Sequence, residues 1–133
     1  MNESKKGDLM NVIVLMEDSF RKDHLGCYGY HVPVSPYIDE FARENVLFKK
    51  AFSQSNWTLP SVASIFTGLY PTAHGAHKNP FLKGSIVQKL SSNRKTLAEV
   101  LKENGYRTGA FGCIGYLDRS FGLNKGFDVY VGH

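Results

Sequence analysis

The sequence predicts an α/β fold, with a mainly parallel sheet flanked by helices. Three observations carry this. The run Asn11–Met16 is apolar and rich in β-branched residues, as a strand buried on both faces should be. Helix-start signals recur at Ser35-Pro36, around Pro60 and at Thr96. Further strand-like runs, Val46–Phe52, Tyr106–Phe111 and Phe127–Val131, alternate with those helices, and alternation is the mark of this class.

The elements follow in order. Residues 1–10 are polar and charged and read as a mobile lead-in, which leaves 11–133 as one domain. The first strand stops at Glu17-Asp18-Ser19, and residues 19–34, with Gly26, Gly29 and Pro33, form a long loop. Ser35 caps a helix with Pro36 at its first position, Asp39 and Glu40 in its first turns, and Ile38, Phe41 and Ala42 on its apolar face. A second helix runs from Pro60 to the stop at Gly68, with Val62, Ala63, Ile65 and Phe66 as its packing face. That puts Thr58 just outside a helix mouth. Residues 69–95 read as loop. Thr96 and Glu99 form a capping box, and Gly105 closes the helix they start.

Bulk composition excludes several classes. The chain is 42% hydrophobic and 21% charged, a soluble globular balance. Its net charge of +4 is spread out, with only the pairs Lys5-Lys6 and Lys49-Lys50, so no nucleic-acid-binding face is expected. A mild positive balance suits an anionic substrate. Cys27 and Cys113 have no metal-finger spacing and read as free buried thiols. The absence of an apolar leader or of a membrane-length apolar run leads to the expectation of a cytoplasmic chain or an expressed fragment.

Two residues are the chemical candidates. Asp18 follows a predicted buried strand, and ligands gather at such strand ends. A carboxylate there can hold a metal or a cationic substrate group, or can merely cap a turn. Thr58 offers a hydroxyl at the positive end of a helix, where anions are favoured. It needs a base or metal to become a nucleophile, and otherwise only helps to cap. His74 and His77, three apart, could ligate a metal but lie in a Pro/Gly-flanked loop.

Val14–Tyr30, Ser35-Pro36 with the helix after it, Ser53–Gly75 and Thr96–Phe111 together resemble the N-terminal part of the sulfatase family, within the alkaline phosphatase-like superfamily. The resemblance covers nearly the whole chain and is most specific around Thr58, where Pro60-Ser61, Ala63-Ser64 and Thr67-Gly68 fall in family register. It implies metal-dependent hydrolysis or transfer of sulfuric or phosphoric esters. Thr58 stands at the nucleophile position, Asp18 and Thr58 touch a divalent metal (Ca, Mg, Mn or Zn), and Ser61 has a structural or capping role. The departures are specific. Thr58 replaces the Cys or Ser that sulfatases convert to formylglycine, Val62 replaces an arginine, Ser19 the second metal aspartate, and Cys113 the anion-binding lysine. Thr is the nucleophile in related phosphodiesterases and phosphoglycerol transferases, so phosphate esters stand beside sulfate esters as substrates. The family's remaining metal ligands lie further downstream than His133, so these residues alone are expected to be inactive. An open sheet edge is expected to favour self-association. The alternative is a degenerate sulfatase-like domain with a non-catalytic, anion- or partner-binding role.

Overall fold

The computed structural model describes residues 10–77, 87–112 and 115–132. The expected lead-in at 1–10 lies almost wholly outside the described residues, as does Cys113. The chain divides into two compact units, one of Met10–Phe52 and one that begins at Ser53.

In the Met10–Phe52 unit the only regular helix is α1, Pro36–Glu44, with Ser35 as N-cap and Pro36 in its first turn. The Ser35 hydroxyl does not close the helix end. It accepts the Gly26 N–H (3.2 Å) and donates to the Asp39 carboxylate (3.1 Å), which also accepts the Cys27 N–H (2.7 Å). Asp39 thus fastens the 3-10 turn Gly26–Tyr28 onto α1. A Cβ at position 26 would lie 2.3 Å from Asp39 Oδ2, so only glycine fits this approach. A second 3-10 turn, Lys22–His24, precedes it, and both fall within the expected long loop.

The predicted strands Asn11–Met16 and Val46–Phe52 are not formed. Both runs lack regular structure, and nearly all their side chains are exposed, Ile13 at 82% and Leu15 at 92%. The physical reason is pairing. A strand exists only as part of a ladder, and the two-stranded sheet found among the described residues contains neither run.

In the other unit, α2 spans Thr58–Thr67, α3 Pro71–His74 and α4 Leu97–Glu103. The strands are β1, Gly109–Phe111, and β2, Val129–Val131. They pair in parallel, Gly109 opposite Val129 and Phe111 opposite Val131, as the α/β reading requires. Both occupy only the last residues of the runs expected to be strands. The core gathers Leu59, Val62 and Ala63 of α2 with Ala76, Leu90 and Leu123. α2 ends at Gly68, which adopts a left-handed φ of 68° and donates its N–H to the Ser64 carbonyl (2.8 Å). α3 lies inside the stretch expected to be loop; Pro71 starts it and Gly75 stops it after a single turn.

The Thr96 capping box is present, with reciprocal bonds of 3.2 Å and 2.9 Å between Thr96 and Glu99. The buried Thr96 hydroxyl also donates to the Lys125 carbonyl (2.8 Å). Gly126 packs so closely against α4 that a Cβ there would be 2.5 Å from the Glu99 nitrogen. Next to this clasp, Asp128 accepts the Thr108 N–H (2.9 Å) and pairs with Lys102.

Candidate nucleophile site

Thr58 is the first residue of α2, two residues earlier in the helix than Pro60 alone suggested. Trp57 before it is extended (φ −147°, ψ 163°), so the chain turns from strand-like to helical geometry at Thr58 itself. Thr58 is half-buried, while Leu59 and Pro60 behind it are fully buried. The hydroxyl therefore sits at a helix start whose next two residues are anchored in the core.

Two features fix that start. The Ser61 hydroxyl reaches back to the Trp57 carbonyl (2.8 Å) and the Ser55 carbonyl (3.1 Å), and accepts from the Ser53 hydroxyl (2.9 Å). It binds the incoming loop to the first turn, which is a structural task. The Trp57 ring meets Tyr116 edge-on (5.5 Å between centroids), and Tyr116 meets Phe121 (5.7 Å).

The far part of α2 is pinned by a residue that the sequence marked only as a doubtful ligand. His74 is completely buried. Its Nδ1 accepts the Ala76 N–H (3.0 Å), so the ring proton sits on Nε2, 3.1 Å from the Ser64 hydroxyl. Burial pushes this imidazole below its ordinary pKa, and the nearby His77 acts in the same sense, partly opposed by a hydrogen bond to the Pro60 carbonyl. Both ring nitrogens are engaged within the protein, so His74 ties α3 to α2 as a neutral ring. The clue in the sequence was the Pro71-to-Gly75 punctuation, which sets a single helical turn with His74 at its end.

Asp18 lies in an exposed turn of the Met10–Phe52 unit, not at the end of a strand, because the strand before it is not formed. Its neighbour Ser19 has φ 59°, the left-handed region that a serine seldom occupies. Asp18 and Thr58 fall in different units. Among the described residues no group of three or more His, Cys, Asp and Glu side chains is placed to hold a metal ion. Two oxygen donors are far fewer than the roughly six that a hard dication takes. The described residues do not by themselves make a metal site. At the position of the family arginine, Val62 is buried in the core and supplies no charge.

A family model described as Sulfatase matches residues 10–133. The chain belongs to the sulfatase family. Similar proteins include the dog arylsulfatase H, 31% identical over 92% of this chain and 24% of its own length. The mouse iduronate 2-sulfatase is 35% identical over 80% of this chain and 18% of its length. The rat steryl-sulfatase is 32% identical over 82% of this chain and 20% of its length. The chain thus spans about a quarter or less of the curated relatives it matches. The sulfatase match takes in both units, including the exposed run after Met10, so the family pattern extends beyond the part with a buried core. No helix among the described residues is long and apolar enough to cross a membrane.

Proposed function

We propose that this chain is the nucleophile-bearing part of a sulfatase-family enzyme that cleaves or transfers sulfuric or phosphoric esters, with Thr58 Oγ as the attacking atom. The observation that carries the reading is the setting of Thr58, a half-buried threonine at the first position of a ten-residue helix, backed by fully buried Leu59 and Pro60. The positive end of a helix favours the negative charge that gathers on a sulfuryl or phosphoryl group. In the step itself, a bond forms from Thr58 Oγ to sulfur or phosphorus while the bond to the ester oxygen breaks. The hydroxyl proton leaves with the departing alcohol, and water or an acceptor alcohol then frees Thr58. Threonine excludes formylglycine chemistry at this position, so phosphate esters rank beside sulfate esters as substrates.

Asp18 is proposed as one metal ligand, by its match to the first metal aspartate of the family. The resemblance puts the family's remaining metal ligands further downstream than His133, so the 133 residues alone are expected to be inactive. The degenerate, non-catalytic reading draws on Cys113 and Ser19, which stand where the family pattern has the anion-binding lysine and the second metal aspartate. The test is turnover of aryl sulfate, phosphate monoester and phosphodiester by the longest native form of the protein, with Thr58→Ala beside it. The proposal expects loss of at least about a hundredfold in the variant, the scale for removing an essential group. Equal turnover by both proteins would remove Thr58 from the chemistry. Absence of turnover and of metal binding by the native protein would establish the degenerate reading.

A further inference from the structure

Among the described residues, His74 is the only ionisable side chain that is completely buried. The proposed attack by Thr58 makes no use of it. Its two ring nitrogens serve different elements. Nδ1 accepts the Ala76 N–H (3.0 Å), from its own stretch of chain. Nε2, which carries the proton, faces α2. It lies 3.1 Å from the buried Ser64 hydroxyl and is hydrogen-bonded to the Pro60 carbonyl. Pro60 and Ser64 stand one turn apart on one face of α2, so this N–H bridges the first turn of the helix to the second.

Thr58 begins that first turn. The residue before it does not close the helix end, since the Trp57 side chain makes no capping hydrogen bond and its indole has only a donor. The start is held from two sides instead. On the loop side the Ser61 hydroxyl takes the Trp57 carbonyl (2.8 Å). On the core side His74 takes the Pro60 carbonyl. Thr58 precedes Pro60 by two residues, which is about 200° around a helix of 3.6 residues per turn. His74 therefore meets α2 on roughly the opposite side from Thr58, where it sets the helix without filling space that a substrate needs. A displacement of about 1 Å at a reacting atom costs about a hundredfold in rate, so a grip on this turn bears on the chemistry.

We propose, on the reading of Thr58 as the nucleophile, that His74 is its positioning residue: through the Nε2–H it locks the first turn of α2 to the core and so fixes where Thr58 Oγ stands. It acts as a neutral donor, and no proton leaves it during the reaction.

The test uses two variants that each keep half of the ring's hydrogen bonding. His74→Gln places an amide N–H near the position of Nε2 and keeps the donor to α2. His74→Asn places an amide oxygen near the position of Nδ1, keeps the Ala76 bond and does not reach α2. In the longest native form, with whichever ester it turns over, His74→Asn is expected to lose about ten- to a hundredfold in kcat while KM stays within about threefold of wild type. His74→Gln should restore kcat to within about threefold of wild type. In the 133-residue chain, hydrogen exchange of the Val62 amide, which bonds to the Thr58 carbonyl in the helical pattern, should quicken about tenfold in His74→Asn relative to Leu101 in α4. A histidine that only stabilises the fold would quicken both amides alike. Ser64→Ala, which trims a single hydroxyl, should lower kcat about threefold and decides the matter if His74→Asn does not fold. Turnover kept by Thr58→Ala, or absent from the native protein, would remove the nucleophile and the role of His74 with it. Loss of turnover in Thr58→Ala with kcat unchanged in His74→Asn, or an equal fall in His74→Gln and His74→Asn, would overturn the role of His74 alone.

Discussion

The Met10–Phe52 unit is the more apolar in sequence, and the unit that begins at Ser53 is the one that buries its apolar side chains together. From Ser53 on, Leu59, Val62, Ala63, Leu90 and Leu123 close into one core. In Met10–Phe52, Leu25 is the buried hydrophobic, while Val12, Ile13, Leu15, Phe41 and Phe48 face solvent. The Met10–Phe52 unit is held instead by polar fastenings, Asp39 to Cys27 and Tyr28 to the Phe48 carbonyl (2.8 Å). Hydrophobicity alone therefore does not bury a segment. It needs a surface to pack against, and only one unit supplies it.

The largest expected effect separates the units by packing. Leu59→Ala should lower stability by about 2–5 kcal/mol, the range for a buried leucine. Ile13→Ala should stay within about 0.5 kcal/mol, as at exposed positions. Denaturant unfolding of both variants measures this, and a large loss in Ile13→Ala would break the contrast.

A smaller effect concerns protonation. His74 is neutral and buried, with its pKa held below the ordinary 6.5. Its stabilising contribution is complete above about pH 6.5, where the ring is neutral in both states. It declines as pH falls below that value, because the unfolded chain takes up the proton first, and it levels off below the depressed folded value. The melting temperature of the wild-type chain should fall between pH 7 and pH 5. His74→Gln should be less stable at pH 7 and should lose less over the same interval. Parallel pH profiles would mean that His74 is not the group responsible.

The smallest effects distinguish two exposed carboxylates. Asp128, beside Lys102 and the Thr108 N–H, and Asp23, hydrogen-bonded to Arg21, are both held down to about 2. Such a carboxylate confers stability only where the unfolded chain lacks the same partner; that stability is present above the ordinary value of 3.8 and is lost as pH falls toward 2. Asp128 joins the ends of two segments far apart in sequence, while Asp23 pairs with a residue two positions away. Asp128→Asn should thus lower the unfolding midpoint at pH 7 slightly, and Asp23→Asn should leave it unchanged. An equal response would remove the distinction between local and long-range pairs.

What could be read in the sequence follows the same division. The Thr96 box and the helix after Ser35-Pro36 were legible because capping is local chemistry, decided within four residues. The parallel pairing was legible as a class, since β1 and β2 fall at the ends of the runs Tyr106–Phe111 and Phe127–Val131. Asn11–Met16 and Val46–Phe52 were misread because a strand requires a partner, and no local pattern contains it. α3 was missed because the Pro and Gly that bound it also punctuate loops. Thr58 was placed within two residues of its observed position, while the pinning of α2 by His74 depended on a contact ten residues away that spacing does not reveal.

The clasp at Thr96 has a consequence for how the chain finds its structure. One hydroxyl joins residues 29 positions apart, and Gly126 is pressed against the helix beside it. Once this contact forms, the intervening chain is a closed loop, and the entropy of bringing distant ends together has already been lost. Thr108 and Asp128 then meet as near neighbours in an effectively shorter chain. The parallel pairing of β1 and β2, slow by topology when attempted alone, becomes the second event of a sequence that a helix cap begins.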